Sequence, residues 1–136
     1  MNDDGVPISG YTHLLFEVKA CSNLFVILSE KSLFLNGNFI LTLLGSNQDR
    51  RLNGIKDSCI KCSTMSTHVQ KTTLDCNAFK PFFVSWDNRG AFSVGTGLDI
   101  TKQPFLEYRT KKKFSFNFLS VNSLKGNATW RFRVGE

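Results

Sequence analysis

Histidine is nearly missing from this sequence: His13 and His68 are the only two in 136 residues. A Ser–His–Asp or Cys–His relay would have to recruit one of them, and nothing near either resembles a nucleophile elbow. Long apolar runs are missing too. The longest, Phe39 to Leu44, has six residues and includes Thr42, whereas a membrane-spanning helix needs about 18 or more. Helical periodicity is nearly absent, which removes the strand–helix rhythm of doubly wound α/β folds. The opening decapeptide MNDDGVPISG is acidic and polar and does not read as a secretory leader. The chain is then either intracellular or a mature or excised domain. Residues 1–10 are expected to form a flexible tail before a single domain over residues 11–136.

What is present is an unusual load of phenylalanine, thirteen in all. The length allows one domain with a genuine core and no need of metals. Net charge is +6, unevenly spread. Residues 1–100 hold nine Lys/Arg against nine Asp/Glu, and residues 101–136 hold eight against two. Such a basic end suits nucleic acid, anionic glycan or acidic lipid, but solvated strand faces explain it more simply. The cluster Lys111–Lys113 falls in an expected turn, and no aromatic interleaving marks a nucleic-acid groove.

Period-two alternation recurs along the chain. Leu14, Phe16 and Val18 alternate with Leu15, Glu17 and Lys19. Phe25 to Leu28 is a short strand-like run. Asn36-Gly37 predicts a two-residue hairpin turn between Leu33–Leu35 and Phe39–Leu44. Residues 45–51 read as a polar loop, and residues 53–75 as a long connection with one short strand near Val69. Phe82 to Trp86, a turn at Asp87–Gly90, and Ala91 to Gly95 predict a second hairpin. Phe114, Phe116 and Phe118 predict another strand, as do Trp130, Phe132 and Val134. Seven to nine strands without a βαβ rhythm imply an all-β fold: an antiparallel two-sheet sandwich, jelly-roll or lectin-like.

Several segments share a family pattern: Phe16 to Cys21, Leu28-Ser29, Asp75 to Asn77, Lys80 to Trp86, Val94 to Gly97, Pro104 to Tyr108 and Ala128 to Phe132. Together they resemble the farnesoic acid O-methyltransferase-like domain, a module of many invertebrate proteins, over about Tyr11 to Val134. Two departures stand out: Phe82-Phe83 replaces an aromatic–Trp pair, and Leu44 to Asn47 lacks the family's Trp. The name implies methyl transfer from S-adenosylmethionine. That chemistry usually needs a glycine-rich turn between a strand and a helix. Gly95-x-Gly97 follows a strand, but residues 99–104 read as loop, so no cofactor and no catalytic residue is assigned.

Two loops are candidate binding sites. Trp86, Asp87, Asn88 and Arg89 set an aromatic beside polar groups, a combination that stacks on a pyranose and hydrogen-bonds its hydroxyls. Against this, Trp86 shares a strand face with Phe82 and Val84 and is expected in the core, and Asp87-Asn88 suits turn chemistry. The second loop carries Asn47, Asp49, Arg50 and Arg51, whose arginines suit a carboxylate or sulfate. Solvated loop polarity is the simpler account. Separate loops can meet at one end of a sandwich, where such folds bind.

Cys21, Cys59, Cys62 and Cys76 form an even set, so two disulfides are expected rather than a zinc site, whose spacing is not met. Of the three connectivities, Cys76 with Cys59 or Cys62 is the first to test. With the sequon at Asn127 they point to an extracellular setting. The expected function is a non-catalytic recognition module for a glycan or other small polar ligand. The alternatives are the methyl transfer that the family name implies and an interaction domain that self-associates through a sheet edge.

Overall fold

A computed structural model describes residues 6–21, 24–33, 37–46, 52–58, 66–69, 74–87, 89–110, 115–123 and 128–134. Among these residues the chain forms eleven strands and no helix. In chain order they are β1 (Val6–Pro7), β2 (His13–Lys19), β3 (Leu24–Ser29), β4 (Phe39–Ser46), β5 (Leu52–Asp57) and β6 (Ser66–Val69). Then come β7 (Lys80–Trp86), β8 (Ala91–Thr96), β9 (Leu106–Arg109), β10 (Phe118–Ser123) and β11 (Thr129–Val134). One sheet runs β1-β10-β3-β4-β5-β6 and the other β11-β2-β7-β8-β9. Every pairing is antiparallel. The fold is the expected all-β two-sheet sandwich.

Alternation explains the core. Leu14, Phe16 and Val18 of β2 and Phe82, Val84 and Trp86 of β7 point inward beside Phe92 and Val94 of β8. They meet Leu24, Val26 and Leu28 of β3, Ile40 and Leu44 of β4 and Ile55 of β5. Phe16 and Phe82, directly paired across β2 and β7, stack at 5.5 Å between centroids. Sequestering these rings is the main drive that holds the sheets together. The Phe82–Thr96 hairpin pairs β7 with β8 and sets β7 at the centre of its sheet.

Four sequence expectations are corrected. The Asn36-Gly37 hairpin does not pair Leu33–Leu35 with Phe39–Leu44. Instead β4 pairs with β3 from Ser29↔Phe39 to Leu24↔Leu44, and Leu33 lies outside any strand. Six pairs over an apolar strand outweigh a short ladder on Leu33. The Glu30 N–H donates to the Asn38 carbonyl at 3.0 Å and the Asn38 N–H to Glu30 Oε1 at 2.8 Å, closing the longer connection. Second, Phe116 precedes its strand rather than lying in it. It is buried in the core, while the inward positions of β10 are Leu119 and Val121, of opposite parity to Phe118. Third, residues 52–57 form β5, which runs from Leu52 into the stretch 53–75 read as a connection. Its pattern was faint because, among its described side chains, Ile55 is the one fully buried apolar anchor. Fourth, the expected tail is partly structured: β1 pairs with β10, and Ile8 is buried. The short strand near Val69 is present as β6, and residues 97–105 form no regular element.

The cysteine pairing is also corrected. Cys76 bonds to Cys21, not to Cys59 or Cys62, both of which lie outside the described residues. The cause is topological. Antiparallel pairing of β2 with β7 carries the residue after β2 to the residues before β7. The Ala20 N–H donates to the Asp75 carbonyl at 3.0 Å, and the two cysteine Cα atoms lie 4.4 Å apart.

Candidate functional site

Strand directions fix which loops share an end of the sandwich. β2 starts, β7 ends, β8 starts and β9 ends at one end of their sheet, where β3 and β5 end and β4 and β10 start in the other. The two sets meet where Phe116, just before β10, packs on Trp86 at the end of β7. In its own sheet Asn117 is fixed, its N–H donating to the Ser29 carbonyl and its carbonyl accepting the Ile8 N–H, both at 2.8 Å. A cleft of about 420 Å³ opens there, lined by Gly10–Thr12, Trp86-Asp87 and Ser115–Asn117. That volume lies within the roughly 300–1,000 Å³ of small-ligand sites.

The apolar wall of the cleft is Trp86 and Phe116, in edge-to-face contact at 6.1 Å and both buried. Trp86 is thus a core residue that shows one edge to the cleft, as the alternation of β7 implies. The exposed aromatic is Tyr11, 46% accessible, on the crossover from β1 to β2. Its neighbour Thr12 is fixed because its carbonyl accepts the Trp86 N–H at 2.9 Å. Opposite it, Asn117 Oδ1 accepts from Ser9 Oγ at 3.1 Å and Asn117 Nδ2 donates to the Glu30 carbonyl at 3.3 Å. Both sheets therefore contribute to one rigid rim.

Asp87 sits where β7 becomes the turn. One carboxylate oxygen, Oδ1, accepts the Arg89 N–H at 2.8 Å and the Ala91 N–H at 3.0 Å. The Ala91 N–H first and the Arg89 N–H second hold its carboxyl below the ordinary 3.8, since hydrogen bonds to the charged form favour it. Oδ2 has no partner among the described residues, and Tyr11 Oη and Ser115 Oγ have none either. The turn itself is anchored from β9. Arg109 Nη1 donates to the Arg89 carbonyl at 3.1 Å and the Thr110 N–H to the Gly90 carbonyl at 3.0 Å. Gly90 has φ +89°, and a Cβ there would lie 2.8 Å from Thr110 Cγ2, so both backbone and space require glycine.

A polar seam joins the sheets at the same end. Tyr108 Oη and Thr110 Oγ1 of one sheet each donate to Asp57 Oδ2 of the other at 2.7 Å. Burial first, then the hydrogen bond to Asp57 and its charge, push the Tyr108 phenol up to about 12. Thr110 thereby ties the seam to the turn that carries Asp87.

Of the residues singled out in the sequence, Trp86 and Asp87 line the cleft, while Arg89 stands exposed on the turn. Asn88, Asn47, Asp49, Arg50, Arg51, Asn127 and Lys111–Lys113 lie outside the described residues. The strand ends that flank residues 47–51, Ser46 and Leu52, belong to the end of the sandwich opposite Trp86. Gly95-x-Gly97 also lies away from the cleft, with the Phe83 ring packed on Gly95. Sequence reasoning missed Tyr11, Thr12, Ser115, Asn117 and the Asp57–Tyr108–Thr110 seam. An aromatic beside a glycine just before a strand was the one available hint for Tyr11. Elsewhere in the basic C-terminal part, the exposed Arg131 lies 3.5 Å from Glu17 and stacks 3.7 Å over the Phe79 ring.

No curated protein and no solved structure matches the chain. A family model described as "Farnesoic acid 0-methyl transferase" matches residues 2–135, nearly the whole sequence, and the chain belongs to that family.

Proposed function

We propose that the domain is a non-catalytic recognition module whose cleft binds a polyhydroxylated small ligand, with a carbohydrate as the chemical class. One observation carries the reading. An exposed aromatic, Tyr11, stands beside polar atoms of Asp87 and Ser115 that have no partner among the described residues, over an apolar wall. A sugar ring offers an apolar face to stack and hydroxyls to pair, and the rim's own hydrogen bonds keep the ordering cost of binding low. The disulfide supports an extracellular setting. The test is a glycan array followed by titration calorimetry of the hits. Tyr11→Ala is expected to weaken binding at least about tenfold, the scale of losing one buried aromatic contact. An array without a single hit sinks the reading.

The family description favours a second reading, methyl transfer from S-adenosylmethionine. Gly95-x-Gly97 does not fit a cradle for that donor. A Cβ on Gly95 would meet the Phe83 ring at 2.2 Å, so the space above it is taken by protein, and the following residues form a loop closed on Asp99. No step is derived through the donor. Calorimetric titration with S-adenosylmethionine separates the readings: heat of binding at millimolar donor favours the second.

A further inference from the structure

Asp87 is the one charged residue among the described residues that line the cleft. Resting on the sugar-binding reading, we propose that Asp87 sets the charge class of the ligand. The cleft takes uncharged sugars that donate hydroxyls and turns away their sulfated or carboxylated counterparts. Net charge alone points the other way, since the chain carries +6 and its excess cations sit in residues 101–136. The local geometry outweighs it.

The division of labour within one carboxylate makes the case. Oδ1 is committed to the Arg89 and Ala91 N–H groups at 2.8 and 3.0 Å, which fix the plane of the group. Oδ2 is left with lone pairs and no partner among the described residues. A carboxylate oxygen only accepts, so it rewards a hydroxyl donor and gives nothing to a sulfate or carboxylate, which has no proton to offer. The cations among the described residues near Asp87 do not reverse this. Arg89 and Arg109 both act on Asp87, yet neither lines the cleft, and Arg109 Nη1 is spent on the Arg89 carbonyl at 3.1 Å. At a separation of about 5 Å and a surface-like dielectric, two negative charges disfavour binding by roughly tenfold or more, and salt erodes this.

The experiment titrates the wild-type domain with neutral oligosaccharides taken from the array and with sulfated and sialylated forms of the same cores, at low and high salt. Neutral forms are expected to bind about tenfold tighter or better, with the gap narrowing as salt rises. Asp87→Asn keeps an Oδ1 acceptor for the turn but replaces the acceptor Oδ2 with an amide nitrogen that only donates, and removes the charge. It is expected to weaken neutral ligands and close the gap. Equal or tighter binding of the anionic forms by the wild type overturns the proposal while leaving sugar binding intact. An unchanged gap in a folded Asp87→Asn overturns it as well. Loss of fold in the variant leaves the wild-type salt series to decide, since a gap that salt does not narrow is not electrostatic. Absence of binding to every sugar overturns both readings together.

Discussion

Placing a methyl group on Gly95 is expected to destabilise the domain by about 3 kcal/mol, at the upper end of the usual cost of overpacking. Gly95 of β8 is directly opposite Phe83 of β7. A Cβ built on it would lie 2.2 Å from Cζ and 2.3 Å from Cε2 of that ring. Carbon atoms in contact sit about 3.5–4.0 Å apart, so the ring would have to retreat by more than an ångström. Phe83 is 1% exposed, stiff, and on the central strand of its sheet, so it has little room to move. Urea denaturation of wild type, Gly95→Ala, Phe83→Leu and the double variant reads the effect. The midpoint of Gly95→Ala should fall with an unchanged slope, because the same surface is exposed on unfolding. Phe83→Leu makes room for the methyl, so the double variant should be more stable than the sum of the singles predicts, by about 1 kcal/mol or more. A Gly95→Ala domain within 1 kcal/mol of wild type, or strictly additive singles, would refute the close-approach argument.

Three further outcomes are expected. Replacing Cys21 and Cys76 together by serine frees a loop of 55 residues, for which the chain-entropy relation gives a loss of about 4 kcal/mol; a non-reducing peptide map should recover these two cysteines linked, and Cys76 linked elsewhere would refute the pairing. The Tyr108 phenol is raised from 10.0 to about 12 in the folded protein, so its contribution is full below pH 10 and is lost as pH rises towards 12. Wild type should therefore lose more stability than Tyr108→Phe across that window, and parallel urea curves for the two would count against the seam. Thr42 is fully buried with its hydroxyl unpartnered among the described residues, so Thr42→Val should raise stability by about 1 kcal/mol, read as a higher urea midpoint.

Strands whose inward positions are all large and apolar announced themselves in the sequence. Leu14-x-Phe16-x-Val18 and Phe82-x-Val84-x-Trp86 are buried as alternation requires, and the same pattern identified Trp86 as core. Patterns failed where burial was sparse or parity broke. β5 shows one full anchor, Ile55, among its described side chains, and Phe116 enters the core from outside β10, so its spacing from Phe118 misled. The Asn36-Gly37 signal was local, while the pairing of β3 with β4 was decided by six apolar and polar partners across the ladder. The candidate site was half legible: Asp87 came from turn chemistry, but Tyr11, Ser115 and Asn117 are brought to it only by topology. Long-range pairs such as Tyr108–Asp57 and Cys21–Cys76 leave no trace in local spacing.

The bond between Cys21 and Cys76 also has a mechanical meaning. Strands β3, β4, β5 and β6 all fall between these two residues. Four of the six strands of one sheet are therefore enclosed in a covalent loop, while every strand of the other sheet lies outside it. A force applied along the chain would pass from Cys21 to Cys76 through sulfur and leave the enclosed strands unloaded. With up to about 3.5 Å of contour per residue, the shielded length approaches 190 Å, which single-molecule pulling would release only after reduction. One sheet of this sandwich is thus protected from tension by a bond made next to the other.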